Sequence, residues 1–589
     1  MLRRSRTTSY PTWPLLPTLA FLALIFFLPV CQLLWLTFID EAGNFDFVGI
    51  RNLWSTPLYA RVLLITFQVS AWTTLVSILA AYPVAYLVAT TERTTSSLLL
   101  ILILVPFWTS FLVRGFAWII LLGQHGAINS LLMALDIIDA PAKLIYTFSA
   151  VIVSMVHSMM PMAILTMVAV MRTINPILPR AAETLGARGS ESFWRIYFPL
   201  SLPGVAAAGL LVLVTALGFF IMPALLGSAR ETMITQLLIA AVQTLLNWQL
   251  AGALSLALLL ATGVVFFVYD RLLGLSTLSG ELSRKPSTRQ HGSRLHNAGT
   301  LILAAAGRFF SLGPELMERL VGIPRSNRGA AISRLALWTG SVAVIAFLIL
   351  PSLIVVPVAL NSGEFLEFPP RGLSLRWFEA YLASDTWLSA TYRSFLVATT
   401  TGILSTILGA AAAFVLVFAN VVGRSTILFL LLLPMIVPRM IFAVGLFKLY
   451  SVFGLVGSLF GIALGHTAIA LPYVVVTMLA LFKTYDVRLD YAAWTLGANR
   501  LQSLGRVMLP QLYDGLIAGF LFAFVTSFDD LTVSLFISGG LTSTLPRQMW
   551  SAIFLEVSPI LAAVSTVVLM LVTSLVVIGE LLRRRTVRQ

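Results

Sequence analysis

Asp529 and Asp530 are adjacent carboxylates in the segment SFDDLTVSLF (527–536), inside an apolar run, 514–537. An Asp at the centre of a membrane helix costs about 3 kcal/mol on insertion scales, so an acid there marks a constraint. Two chemistries fit. A carboxylate could cap a neighbouring helix break, or it could border a water-filled cavity between the fifth and eleventh helices and meet a cationic solute. Adjacent helical residues point about 100° apart, so only one of the two need face a central path. Phe107 and Trp108 could line the same path, since aromatic faces attract organic cations. Equally, they could be interfacial belt residues, the commoner role for Trp.

A second set of residues occurs twice. AAETLGARGSESFWRIYFPLSLPG (181–204) aligns with AAWTLGANRLQSLGRVMLPQLYDG (492–515) at a constant offset of 311, with ten identical positions. The shared residues include Ala181, Ala182, Gly186, Ala187 and Pro199, matched by Ala492, Ala493, Gly497, Ala498 and Pro510. The alanines favour helix, the glycine permits a turn or a close approach, and the proline is expected to end the element before the next span. The expectation is a short helix, a turn and a second short helix along the membrane's inner face, with small residues that admit another protein's surface. A loop that merely anchors two helices is the alternative, and it does not explain two matched copies. The same offset places Gly218 opposite Asp529 and Phe219 opposite Asp530, so one copy alone supplies the acids.

Other chemistry is not expected. There is no G-x-x-x-x-G-K-[ST] loop to cradle nucleotide phosphates, and none of Lys143, Lys285, Lys448 and Lys483 follows a glycine. The histidines, at 125, 157, 291, 296 and 466, are scattered without metal-ligand spacing. His157 reads as a packed, hydrogen-bonded residue, and His291 and His296 as solvated. We therefore expect no catalytic residues, no metal and no cofactor, and any energy source must be a separate protein.

The 589 residues are 59% hydrophobic and 11% charged, with a mean hydropathy of +0.95. Soluble domains have about 25% charged residues, so this composition leaves no polar coat and excludes a soluble enzyme or nucleic-acid-binding domain. About 20 apolar residues span a bilayer core, and twelve such runs are legible: 15–38, 62–90, 98–122, 147–171, 203–226, 249–272, 335–360, 391–418, 426–450, 462–482, 514–537 and 560–582. The runs are continuous and not alternating, so an all-α polytopic membrane protein is expected. Arg3, Arg4 and Arg6 precede the first run and Arg583, Arg584, Arg585 and Arg588 follow the last, while Asp40, Glu41, Asp46, Asp136 and Asp139 fall in outer loops. This positive-inside bias places both termini in the cytoplasm and accounts for the net charge of +14 without nucleic acid. The lone Cys31 can form no internal disulfide.

Residues 274–334 carry nine basic residues against three acids and break the apolar pattern. They read as a basic cytoplasmic linker, with 301–323 an interfacial helix, between two six-helix halves, 1–273 and 335–589. Equal parity makes the halves parallel repeats related by an axis along the membrane normal.

The paired loops resemble the Glu-Ala-Ala loop of ABC importer permeases, a helix that docks into a cleft on the cytoplasmic ATPase. The leading glutamate is absent, replaced by Arg180 and Tyr491. The first half, through PFWTSFLVRGFAW (106–118) and ALGFFIMPALLG (216–227), resembles one permease subunit of spermidine/putrescine importers. The second half, through GLSLRWF (372–378), LPYVV (471–475), SFDDLTVSLF and TLPRQM (544–549), resembles the other. The resemblance implies two fused subunits with a type I importer fold, a cytoplasmic ATPase homodimer, an extracytoplasmic substrate-binding protein and a small organic cation as solute, in a bacterial inner membrane. Ferric iron, aminophosphonate or opine importers share the machinery. An ion-driven secondary transporter also suits two parallel halves, but it has no need of paired docking loops.

Overall fold

The computed structural model describes residues 10–39, 44–187, 189–273, 327–370, 372–555 and 558–586. Of the linker expected over 274–334, residues 274–326, with His291, His296 and the stretch 301–323, lie outside the described residues, as do Arg3, Arg4, Arg6, Asp40, Glu41 and Arg588, while 327–334 form the start of a helix.

In the first half, α1 is Leu15–Phe38, α2 Val48–Ser55, α3 Pro57–Thr90, α4 Arg93–Trp108, α5 Phe111–Leu122 and α6 Ala127–Ala134. Then come α7 Phe148–Met171, α8 Ile177–Thr184, α9 Gly189–Leu217, α10 Ile221–Leu226, α11 Ile234–Gln243 and α12 Trp248–Leu273. The second half has α13 Asn327–Ala359, α14 Arg376–Ala383, α15 Asp385–Phe418, α16 Arg424–Ile436, α17 Arg439–Phe453 and α18 Leu459–Thr484. It closes with α19 Arg488–Thr495, α20 Arg500–Phe528, α21 Thr532–Ile537, α22 Leu545–Leu555 and α23 Ile560–Thr586. Beside these helices the described residues show two isolated bridges, Ile39 with Phe45 and Asn361 with Leu373.

Among the described residues ten helices are long and apolar enough to span a membrane, or eleven if α16 and α17 form one span bent by 93°. The twelve runs thus survive as apolar sequence, but four of them are not single helices. The third and ninth break between α4 and α5 and between α16 and α17. The fifth and eleventh break between α9 and α10 and between α20 and α21. A proline explains the break in the ninth run. Val437 precedes Pro438 and is extended, with φ −70° and ψ 128°, as proline demands of the residue before it. Thr109, at the matching place, is extended as well, followed not by a proline but by Ser110, which caps α5.

Proline has the opposite effect where a π-turn absorbs it. Ala23–Phe27, Phe193–Tyr197 and Leu504–Met508 are π-turns. Each lies just before a proline, namely Pro29, Pro199 and Pro510. A proline ring displaces the carbonyl four residues back, and the wider turn gives it room. Pro199 and Pro510 therefore lie inside the continuous helices α9 and α20. The expectation that they end the loop element is corrected: the second short helix runs on into the span.

The repeat extends well beyond the loops. An offset of 328 carries Pro57 to Asp385 and Thr90 to Phe418, so α3 becomes α15. The offset of 311 carries α8 to α19 end for end. The register changes across α6 and its flanking loops, which have no helical counterpart in the second half.

The halves also exchange contacts through their first helices. α1 packs against α15 and α17 as well as α12 of its own half, and α13 against α3, α4 and α5 as well as α23. Thr18 donates to the Leu408 carbonyl at 2.9 Å across this contact. On the other side, His157 bonds the Leu348 carbonyl at 3.0 Å and sits edge-on to Trp118 and Phe347.

Candidate coupling loops and central site

Ala181 and Ala182 lie on α8, and Ala492 and Ala493 on α19. Each helix stops in a left-handed glycine, Gly186 at φ +94° and Gly497 at φ +90°, a conformation that costs L side chains about 1–2 kcal/mol. Ala187 N–H then donates to the Ala182 carbonyl at 2.9 Å, and Ala498 N–H to the Ala493 carbonyl at 3.0 Å. These bonds close both helix ends as glycine-terminated caps do.

The turn pushes one apolar side chain outward in each copy. Leu185 is 88% exposed and Leu496 89% exposed. Neither stood out as a site residue in sequence, although both belong to the ten identities, and an invariant leucine on a non-spanning loop was the available signal. Arg180 and Tyr491 are exposed on the same short helices.

The two loops are anchored differently. In the first, the Ser192 hydroxyl donates to the Pro179 carbonyl at 2.9 Å. In the second, Asp490 occupies the position of Pro179 and is buried. It accepts from the Ser503 hydroxyl, from Tyr485 at 3.0 Å and from Tyr10 at 3.4 Å. Burial first, and then the Asp490 carboxylate, push the Tyr10 phenol up to about 12. The same causes push the Tyr485 phenol up, so both remain donors at neutral pH.

The four helix breaks meet at the centre. Asp529 terminates α20, and its Oδ1 accepts the Phe111 N–H at 3.1 Å, at the start of α5 in the other half. Ser110 assists as N-cap, accepting from Leu112 N–H at 3.3 Å. Gly218, the counterpart of Asp529, lies against Pro438, where a Cβ would approach the proline ring to 3.0 Å. Each half thus places the end of its fifth span on the break in the opposite third span. The acids are not deep in a continuous helix, as the apolar run suggested; they stand at its end.

Asp530 is 3% exposed. Its Oδ2 accepts the Val533 N–H at 2.8 Å and lies 3.4 Å from His466 Nε2. His466 also contacts Ser527 at 2.8 Å and Ser534 at 3.2 Å. The Asp530 Oδ1 faces Arg439, whose guanidinium is 3.8 Å away and bonds the Tyr473 hydroxyl at 3.3 Å. A second intramembrane arginine, Arg114, is 1% exposed, donates to the Ser158 carbonyl at 3.0 Å and lies 4.3 Å over the Phe111 ring. Neither arginine, nor His466, was singled out in sequence, because each is a lone charge or histidine whose partner comes from a distant helix.

Trp108 and Phe107 stack edge-on, and Trp108 packs against Phe522 of α20 at 5.1 Å, at the interface between halves. A cavity of about 420 Å³, lined by Val105, Pro106, Ile349, Leu353 and Met570 among others, contains neither aspartate, and neither does a second one beside Pro510.

The family model of the binding-protein-dependent transport system inner membrane component matches residues 77–277 and 405–588, together more than half of the chain. The chain belongs to this family. Its halves also match separate proteins. One is similar to the spermidine/putrescine transport system permease protein PotB of Haemophilus influenzae, 32% identical over 42% of this chain and 89% of that protein. PotB of Escherichia coli is 31% identical over 44% of this chain and 97% of its own length. PotC of Haemophilus influenzae is 31% identical over 41% of this chain and 94% of its own. A crystal structure of a bacterial ABC transporter that imports alginate aligns at 17% identity, covering 46% of this chain and 94% of that one, with a TM-score of 0.39. This family member is a multi-pass inner-membrane permease that carries, fused in one chain, two halves related to separate permease proteins.

Proposed function

We propose that this permease imports polyamines or a similar small organic cation. A substrate-binding protein delivers the solute at the outer face. A separate cytoplasmic ATPase homodimer docks on α8 and α19, around Gly186 with Ala187 and Gly497 with Ala498, and drives the halves between outward and inward conformations. Both termini face the cytoplasm. One observation carries the reading: two different spermidine/putrescine permeases match the chain's halves over nearly all of their own lengths. The acids at the central break support a cation as solute, and the outward-turned leucines support docking at the loops.

The test is uptake of labelled putrescine and spermidine in cells that lack their own polyamine uptake, with the cognate ATPase and binding protein supplied. Asp529→Asn and Asp530→Asn keep shape and remove charge. Each is expected to lower uptake about tenfold or more, as loss of a desolvated charge contact does, while the ATPase still copurifies. Parental uptake in both variants, or a solute that proves to be an anion, would refute the cation assignment.

A further inference from the structure

Arg439 stands where a positive charge is least welcome. It is the first residue of α17, directly after the 93° break and Pro438. Helix N-termini carry partial positive charge and favour anions. The other half shows the expected solution: at Phe111, the counterpart of Arg439, the Asp529 carboxylate receives the helix N–H. In the second half the first residue of the helix is itself an arginine.

The compensation comes from Asp530, and it is incomplete. Oδ2 is fully engaged by the Val533 N–H and His466. Oδ1 is buried and accepts no hydrogen bond from any described residue. Arg439 stands 3.8 Å from it, beyond hydrogen-bonding distance, and its side chain is 37% exposed against 2% for the aspartate. A buried carboxylate oxygen that accepts nothing is costly. Among the described residues the cation that faces this oxygen is Arg439, held by charge and by a 3.3 Å bond to Tyr473.

We propose that Arg439 is a tethered stand-in for the substrate: its guanidinium screens the Asp530 Oδ1 while the site is empty, and a substrate ammonium displaces it and binds that oxygen. Resting on the cation reading above, this assigns Asp530 as the primary amine ligand and Arg439 as a specificity-determining residue. Competition from a built-in monovalent cation raises the threshold for binding. A single ammonium gains little by replacing one charge with another, whereas a second amine on the same solute adds contacts that the arginine does not offer. Arg439 thereby favours solutes with two or more amines over monoamines. Displaced, it swings away from the helix N-terminus, which removes the unfavourable charge from that position.

The experiment measures uptake kinetics of labelled putrescine, spermidine and a monoamine, butylamine, by the full chain with its ATPase and binding protein. Arg439→Gln removes the competitor and is expected to lower the KM for putrescine about tenfold, the scale of one partly buried charge pair, and to admit butylamine. Arg439→Lys keeps a tethered cation and is expected to restore the parental KM and selectivity. Copurification of the ATPase shows that each variant is assembled. An unchanged or raised KM in assembled Arg439→Gln overturns the proposal, as does an assembled variant without uptake, because both make the arginine a ligand or a strut. If the parent itself moves none of the amines, the cation reading fails first, and the stand-in with it.

Discussion

Asp529 illustrates how one side chain settles between structural and functional roles. Its Oδ1 accepts the Phe111 N–H, so it caps a helix in the opposite half whatever it does for solute. Asparagine retains an acceptor oxygen in the same place; alanine does not. An N-terminal cap is worth about 1 kcal/mol. Asp529→Ala is therefore expected to melt in detergent at a lower temperature than Asp529→Asn, by an amount corresponding to about 1 kcal/mol, with the asparagine variant near the parent. Equal melting of the two would show that the contact contributes nothing to stability. The comparison also separates the cap from the charge, since the uptake defect expected of Asp529→Asn requires no loss of the hydrogen bond. The residue scale is where sequence was least legible. Asp529 and Asp530 stood out because acids in an apolar run are rare. Arg439, Arg114 and His466 did not, because what distinguishes them is a partner brought across from another helix.

At the scale of elements, the spans were legible from hydropathy and the loops from their repetition. The breaks were not. Mean hydropathy stays high through Thr109, Val437 and Gly218, and even the acids at Asp529 and Asp530 read as residues inside a span, because a window that averages over a span averages over its bend. Pro199 and Pro510 were misleading for the converse reason: a π-turn absorbs each, and hydropathy carries no sign of it. The loops make a prediction of their own. Leu185 and Leu496 are exposed at the turn where small residues allow close approach. Fully burying a leucine is worth about 1.5–3 kcal/mol, enough for each to dominate a small interface. Leu185→Asp is expected to cut solute-stimulated ATP hydrolysis about tenfold or more, and Leu185→Met to leave it near the parental rate. Full stimulation in an assembled Leu185→Asp transporter would remove the leucine from the docking surface. Loop two, braced by Asp490 with Tyr10 and Tyr485, is the stiffer of the pair, so the matching change at Leu496 is expected to differ in size.

At the scale of the whole molecule, the division at the linker is a division of sequence and not of packing. α1 lies on α15 and α17 besides α12 of its own half, and α13 on α3, α4 and α5 besides α23, so each half is partly covered by the other's first helix. Contacts cross the boundary at every level: Tyr10 to Asp490 near the coupling loops, Thr18 to Leu408, His157 to Leu348, Asp529 to Phe111 at the centre, and Phe220 against Trp550. None of these contacts needs residues 274–326. A tether adds effective concentration and no contact of its own, and two chains confined to one membrane already meet often. Co-expression of 1–273 with 327–589 is therefore expected to yield a complex that copurifies and takes up solute at a rate comparable with the intact chain. Either segment alone is expected to be degraded, because its partner's first helix is missing and the faces of α3 and α5, or of α15 and α17, stay bare. Failure of the co-expressed segments to copurify would show that the linker directs assembly. Stability of one segment expressed alone would show that the exchanged helices are not what holds the halves together.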